Sequence, residues 1–162
     1  MATLSWGGPT IQFVPLAASA TPPAGDWKGT DGLIEIKADD LLEDSSRLET
    51  AEGESKEVRT EFGVVVDRKV MPSSYTFTTS IIKKKGYKSK FNAVNGIVSG
   101  DFAMRLIAED NATPGFEFAK CNIATANAWD ADQGSLENLT VNAVEPNGED
   151  KQMCKDYSVQ AD

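Results

Sequence analysis

The sequence predicts a mainly β domain, an antiparallel sandwich or barrel with one short flanking α-helix. Three observations predict it. Most of the chain alternates apolar and polar residues with period two, the mark of half-buried strands. β-Branched and aromatic residues dominate the alternating runs. Clusters of Gly, Pro, Asn and Ser separate those runs, and no internal repeat or boundary divides them. At 162 residues and 17.4 kDa the chain is the length of one domain, spanning residues 1–162.

The first strand falls at residues 10–14, followed by an irregular loop over 17–29 that carries Pro22, Pro23, Gly25 and Gly29. A strand at 33–37 leads to the predicted helix, residues 39–46. There Asp39 or Asp40 caps the start, and Leu41, Leu42 and Ser45 face the sheet. The clearest alternation runs over 56–67: Val58, Thr60, Phe62, Val64 and Val66 share one face, Glu57, Arg59, Glu61 and Asp67 the other. A Met71-Pro72-Ser73-Ser74 turn joins it to a strand at 74–84, with Tyr75, Phe77, Thr79 and Ile81 on one side. Further strands are predicted at 101–108, 116–123, 136–144 and 154–159, with loops at 111–115 and Pro146-Asn147-Gly148.

Composition excludes several kinds of function. The chain has no histidine, hence no triad of the usual kind and no imidazole metal ligand. With 25 acids against 16 basic residues, its net charge is −9, the wrong sign for a protein that grips phosphates. No apolar run approaches the ~20 residues of a membrane-spanning helix, and residues 1–16 show no secretory pattern. Cys121 and Cys154 are too few for a disulfide framework; they read as reduced, and pair only if their strands lie side by side. Glycine-rich phosphate cradles and a nucleophile elbow are absent. Asp130-Ala131-Asp132-Gln133-Gly134-Ser135 lacks the sixth-position glycine and twelfth-position carboxylate of an EF-hand, so it reads as an Asp/Gly turn, with a looser calcium site the weaker alternative. Asn111-Ala112-Thr113 and Asn138-Leu139-Thr140 match the N-glycosylation pattern by chance. The chain is therefore expected to be no enzyme, with no cofactor and no metal.

Charge is unevenly spread. Acids crowd residues 39–57, including Asp39, Asp40, Glu43 and Asp44, while Lys83, Lys84, Lys85, Lys88 and Lys90 fall within eight residues. These read either as two solvated loops or as a self-complementary pair, the basic loop of one copy meeting the acidic segment of the next.

Several stretches together resemble a family. The opening Ala2-Thr3-Leu4-Ser5-Trp6-Gly7-Gly8-Pro9-Thr10-Ile11 runs straight into a strand, and a loop with Trp27 follows. Next comes the acidic Glu43-Asp44-Ser45-Ser46-Arg47-Leu48-Glu49-Thr50-Ala51-Glu52-Gly53-Glu54, ahead of the two long strands. Asn95-Gly96-Ile97-Val98-Ser99-Gly100 then enters the strand at 101–108, before a Glu109-Asp110-Asn111 turn and a Pro114-Gly115-Phe116 re-entry. In this arrangement residues 1–145 resemble the major tail tube proteins of long-tailed bacteriophages, kin to injection-system tubes. The stretch after Pro146, with Cys154 and Tyr157, has no counterpart in it.

The resemblance implies a virion structural protein assembled in the host bacterial cytoplasm. Its copies form hexameric rings that stack into a hollow tube and meet other tail proteins, with DNA as non-sticking cargo and no membrane. The lysines named above and Asp39, Asp40, Glu43 and Asp44 become inter-subunit contacts. Glu57 and Glu61 would line an acidic lumen, backed by a Val58/Phe62/Val64 face turned to the subunit's own core. The reading from another class is a β-sandwich ligand-binding module, carbohydrate-binding or adhesin-type, that stacks sugars on Trp6, Trp27 or Trp129. A third, a hydrolase with paired carboxylates, has no pair singled out by spacing.

Overall fold

Most of the alternating runs become strands that turn one face to a common core, and β1 and β9 bury their other face as well, where Val14 and Ala103 pack on Trp27. The computed structural model describes residues 8–17, 20–23, 25–42, 45–91, 93–108, 114–149 and 151–157. Its strands are β1 (Thr10–Leu16), β2 (Ile34–Ile36), β3 (Arg47–Ala51), β4 (Ser55–Arg59), β5 (Val65–Val70), β6 (Ser74–Ile82), β7 (Ala93–Val94), β8 (Ile97–Val98), β9 (Asp101–Ile107), β10 (Gly115–Asp130), β11 (Gly134–Ala143) and β12 (Cys154–Tyr157). Ten of them form one antiparallel sheet in the order β2-β1-β9-β10-β11-β6-β3, with β12 and the β7–β8 hairpin attached to β10. The mainly β expectation holds, but among the described residues the sheet does not close into a barrel: β2 and β3 are the two ends of that order.

Registers explain the core. Phe77 lies opposite Val141, Met104 opposite both Phe13 and Phe118, and Leu106 opposite Ile11. Their side chains join Ile36, Ile81, Ile123 and Leu139 in one buried cluster, closed by Phe91 edge-on to Phe13 at 5.4 Å. Phe118 and Cys121 are both buried although three residues apart, a spacing that a regular strand would put on opposite faces. A bulge between them shifts the register and turns both inward. The opposite face of β6 and β11 is polar: Thr76 donates to Asn142 at 3.1 Å and Ser80 to Asn138 at 2.6 Å.

Two expectations are corrected. No α-helix occupies 39–46 among the described residues; a single 3-10 turn, Ala38–Asp40, stands there. Leu41 bridges to Ile81 and Leu42 N–H donates to Ser80 O at 2.9 Å, so the chain docks along β6 instead of coiling on itself. Glu43 and Asp44 lie outside the described residues.

The supposed single strand over 56–67 is a hairpin, β4 and β5. Thr60 accepts from Gly63 N–H at 2.9 Å and donates its own N–H to Val64 O at 2.8 Å, while Gly63 takes φ 82°. That backbone conformation favours glycine and reverses the chain where the alternation runs on. None of this hairpin is buried, so the Val58/Phe62/Val64 face does not meet the subunit's core. Three elements went unforeseen. Strand β3 lies inside the acidic segment, and β7 and β8 flank Asn95-Gly96, whose φ values of 52° and 84° are those of a tight hairpin turn. No helix among the described residues is long and apolar enough to cross a membrane.

Core and hairpin should respond differently to truncation. Phe77→Ala is expected to cost about 3–5 kcal/mol in urea unfolding. Val58→Ser is expected to stay within about 0.5 kcal/mol of the parent. Equal losses would place the hairpin in the fold's core.

Candidate functional site

The β4–β5 hairpin is an arm. It continues the β3–β6 ladder beyond the sheet, for Ala51 pairs with Ser74, Met71 N–H donates to Glu54 O at 2.8 Å, and Ser55 pairs with Val70. From Ala51 to its tip it reaches up to about 35 Å at ~3.3 Å per residue. Phe62 at the tip is 96% exposed and Val58 62%, with Val64, Val65, Val66, Val70 and Met71 exposed along the arm. Glu57 sits between two arginines, 2.8 Å from Arg59 and paired with Arg68. Its charge is compensated. Glu61 lies exposed in the turn.

The lysine loop sits at the other end of β6. The structure brings part of the acidic segment to it within one chain: Lys84 Nζ is 3.3 Å from Asp40 and donates to Asp39 O at 2.8 Å. Lys83 donates to Asn127 at 2.7 Å, and Lys90 to Glu35 O. Lys85 and Lys88 are exposed and make no hydrogen bond or ion pair with the other described residues. Glu137, 3% exposed on β11, holds the loop down: it accepts from Tyr87 Oη at 2.9 Å and Ser89 Oγ at 3.0 Å. Burial, reinforced by Glu137, pushes the Tyr87 phenol up to about 12. Two depressions flank the loop. One is an open groove of about 550 Å³ over Lys83, Asn127, Ser135 and Glu137. The other is a cavity of about 210 Å³ over Ile36, Ile81 and Ile82, rimmed by lysines.

A third cluster answers for the unmatched tail. Arg105, 5% exposed on β9, stacks 4.0 Å over Trp27 and 4.5 Å from Tyr157. It lies 3.3 Å from Glu117 and donates to Gly25 O. One guanidinium thus ties the 20–33 loop and β12 to the sheet. Sequence patterning missed it because an arginine among β9's apolar residues reads as solvent-facing. Trp27 is wholly buried, its indole N–H donating to Pro23 O at 2.9 Å, so it offers no stacking platform. Trp129 is 74% exposed, and Trp6 lies outside the described residues. Cys121 and Cys154 are free; burial raises both thiols and keeps them protonated. Asp130 accepts from Asp132 N–H at 2.8 Å, forming the β10–β11 turn. Asn138 is bonded within the sheet, and Asn111 lies outside the described residues. Among the described residues no group of three Cys, Asp or Glu could hold a metal.

The chain matches no protein-family model. It matches no curated protein sequence either.

The Tyr87–Glu137 contact has a pH signature. The folded phenol titrates above the ordinary value of 10, so the stabilisation is whole below pH 10 and is lost as pH rises from about 10 through about 12. Absorbance titration should show one tyrosine ionising near pH 12, and Glu137→Gln should move that midpoint down. Three coincident midpoints near 10 would show that Tyr87 is not held this way.

Proposed function

We propose that the chain is a structural, non-enzymatic subunit of a phage-type tail tube. Copies close into rings, hexameric as in the proteins the sequence resembles, and the rings stack into a hollow tube that DNA passes through. The arm is the observation that carries this reading. A two-stranded hairpin is marginal in water on its own, and this one holds Val58, Phe62, Val64 and Val66 in solvent. Burying one such side chain contributes about 1.5–3 kcal/mol. A neighbouring copy that covers three of them supplies what the subunit's own core does not.

The open sheet supports the same reading, since β2 and β3 leave backbone donors and acceptors that neighbours can pair in a ring. The channel wall is assigned to the outward face of β6 and β11, whose Thr76, Thr78, Ser80, Asn138, Thr140 and Asn142 are uncharged; Arg47 of β3, opposite Thr78, is paired with Glu49 at 3.4 Å. The net charge of −9 further repels DNA at close range. DNA is cargo that does not stick, and other tail proteins meet the tube's ends in the virion. Assembly takes place in the host bacterial cytoplasm.

One observation favours a binding module instead. Trp129 pairs with Ser135 and Asn127 with Glu137, which sets the exposed indole on the same side of the sheet as the open groove, where a sugar ring could stack.

Light scattering behind size exclusion at rising concentration, with negative-stain microscopy of the heavy fractions, separates the two. The expected result is rings or hollow tubes with masses in multiples of six subunits. Replacing residues 55–70 by a tight turn should leave folded monomers. A parent that stays monomeric throughout, with Trp129 fluorescence that shifts on adding oligosaccharide, would defeat the tube reading.

A further inference from the structure

The arm and the lysine-rimmed cavity lie at opposite ends of β6. The arm leaves at Ser74, while Ile81 and Ile82 line the cavity at the other end of a nine-residue strand, roughly 27 Å away. The arm also points away from the sheet, so its tip has no path to the cavity of its own chain. The two features nevertheless match. The cavity has an isoleucine floor and a volume of about 210 Å³; a dry cavity of ~150 Å³ already accepts benzene. At its rim stand Lys85 and Lys88, with no partner among the other described residues. The arm's tip presents one nearly bare phenyl ring, Phe62, beside Glu61, the only charge between Thr60 and Val66.

We propose that Phe62 of one copy seats in the cavity over Ile36, Ile81 and Ile82 of the next, with Glu61 meeting Lys85 and Lys88 on its rim. This rests on the self-assembly reading and names its contact. The pairing is heterologous, tip of one copy to cavity of another, so it propagates along a ring or stack and does not end at a two-fold dimer. The aromatic anchor sets the affinity, and the charges set register and partner choice. The acidic partner of the lysine loop between copies is then the arm's tip, since Asp39 and Asp40 already meet Lys84 within the chain.

A charge swap tests it in the full chain. Glu61→Lys alone, and Lys85→Glu with Lys88→Glu, should each raise the concentration needed for assembly tenfold or more. The triple variant should return to within threefold of the parent, and Phe62→Ser should lose assembly without rescue. All the substituted side chains are exposed, so circular dichroism should be unchanged. A second measurement mixes Glu61→Cys chains with Lys88→Cys chains, both carrying Cys154→Ser and both keeping Phe62, under mild oxidation. Disulfide dimers should form in the mixture well above either variant alone. Rings that form in the parent, but whose charge variants assemble normally or show no rescue, would overturn this docking and leave the tube reading standing. A parent that stays monomeric and gives no mixed dimer would overturn both.

Discussion

The β3–β6 ladder does not stop where the sheet stops, and much of the molecule's character follows from that. Inside the sheet, the β3–β6 pairs at Thr76, Phe77 and Thr78 are backed by β11, and Phe77 and Ile81 reach the core. Beyond Ser74 the same ladder continues as a two-stranded sheet with no third strand among the described residues. Its hydrogen bonds are made, so no backbone group objects, but its valines and Phe62 have only water for company. A hairpin in that position is held by its own pairing and by ion pairs such as Glu57 with Arg59 and Arg68. Such exposed pairs contribute little, about 0–1 kcal/mol. The apolar surface is the larger quantity, and it is unanswered among the described residues.

Polar burial does the opposite work at the other end of the strand. Glu137 draws Tyr87 and Ser89 down onto β11, and Lys84 closes on Asp40. A loop with five lysines in eight residues would otherwise repel itself. Three of those lysines are engaged in the chain, while Lys85 and Lys88 stay at the rim. Arg105 plays a comparable part on the far side, where Trp27 and Tyr157 sandwich its guanidinium and a pair with Glu117 offsets its burial. The tail strand β12 is thereby part of the fold and not an appendage.

Particular residues separate what was legible from what was not. The strands expected at 10–14, 74–84, 101–108 and 136–144 followed from period-two patterning and stand at 10–16, 74–82, 101–107 and 134–143. The alternation marked a core-facing side in each, but not that β1 and β9 also bury Val14 and Ala103 on the other side against Trp27. The same pattern misled at 56–67: alternation reports which side chains share a side, not whether anything covers that side. Gly63 and Asn95-Gly96 were the local signals for the two unforeseen hairpins, and each carries a backbone geometry that alternation does not encode. The phase change between Phe118 and Cys121 is likewise written in the spacing of the buried residues, although only pairing with β9 turns it into a bulge.

By itself, then, the sequence determined the class of the fold, the places of most strands, the acidic balance and the absence of histidine chemistry. These depend on local propensity and on sums over residues, which need no knowledge of neighbours. Tertiary structure alone decided which acids meet which lysines, that an arginine lies buried beneath Trp27, and that an apolar run belongs to an arm in solvent. Those outcomes turn on which elements come to lie beside one another. Burial and charge pairing are properties of that arrangement, not of the order of residues along the chain.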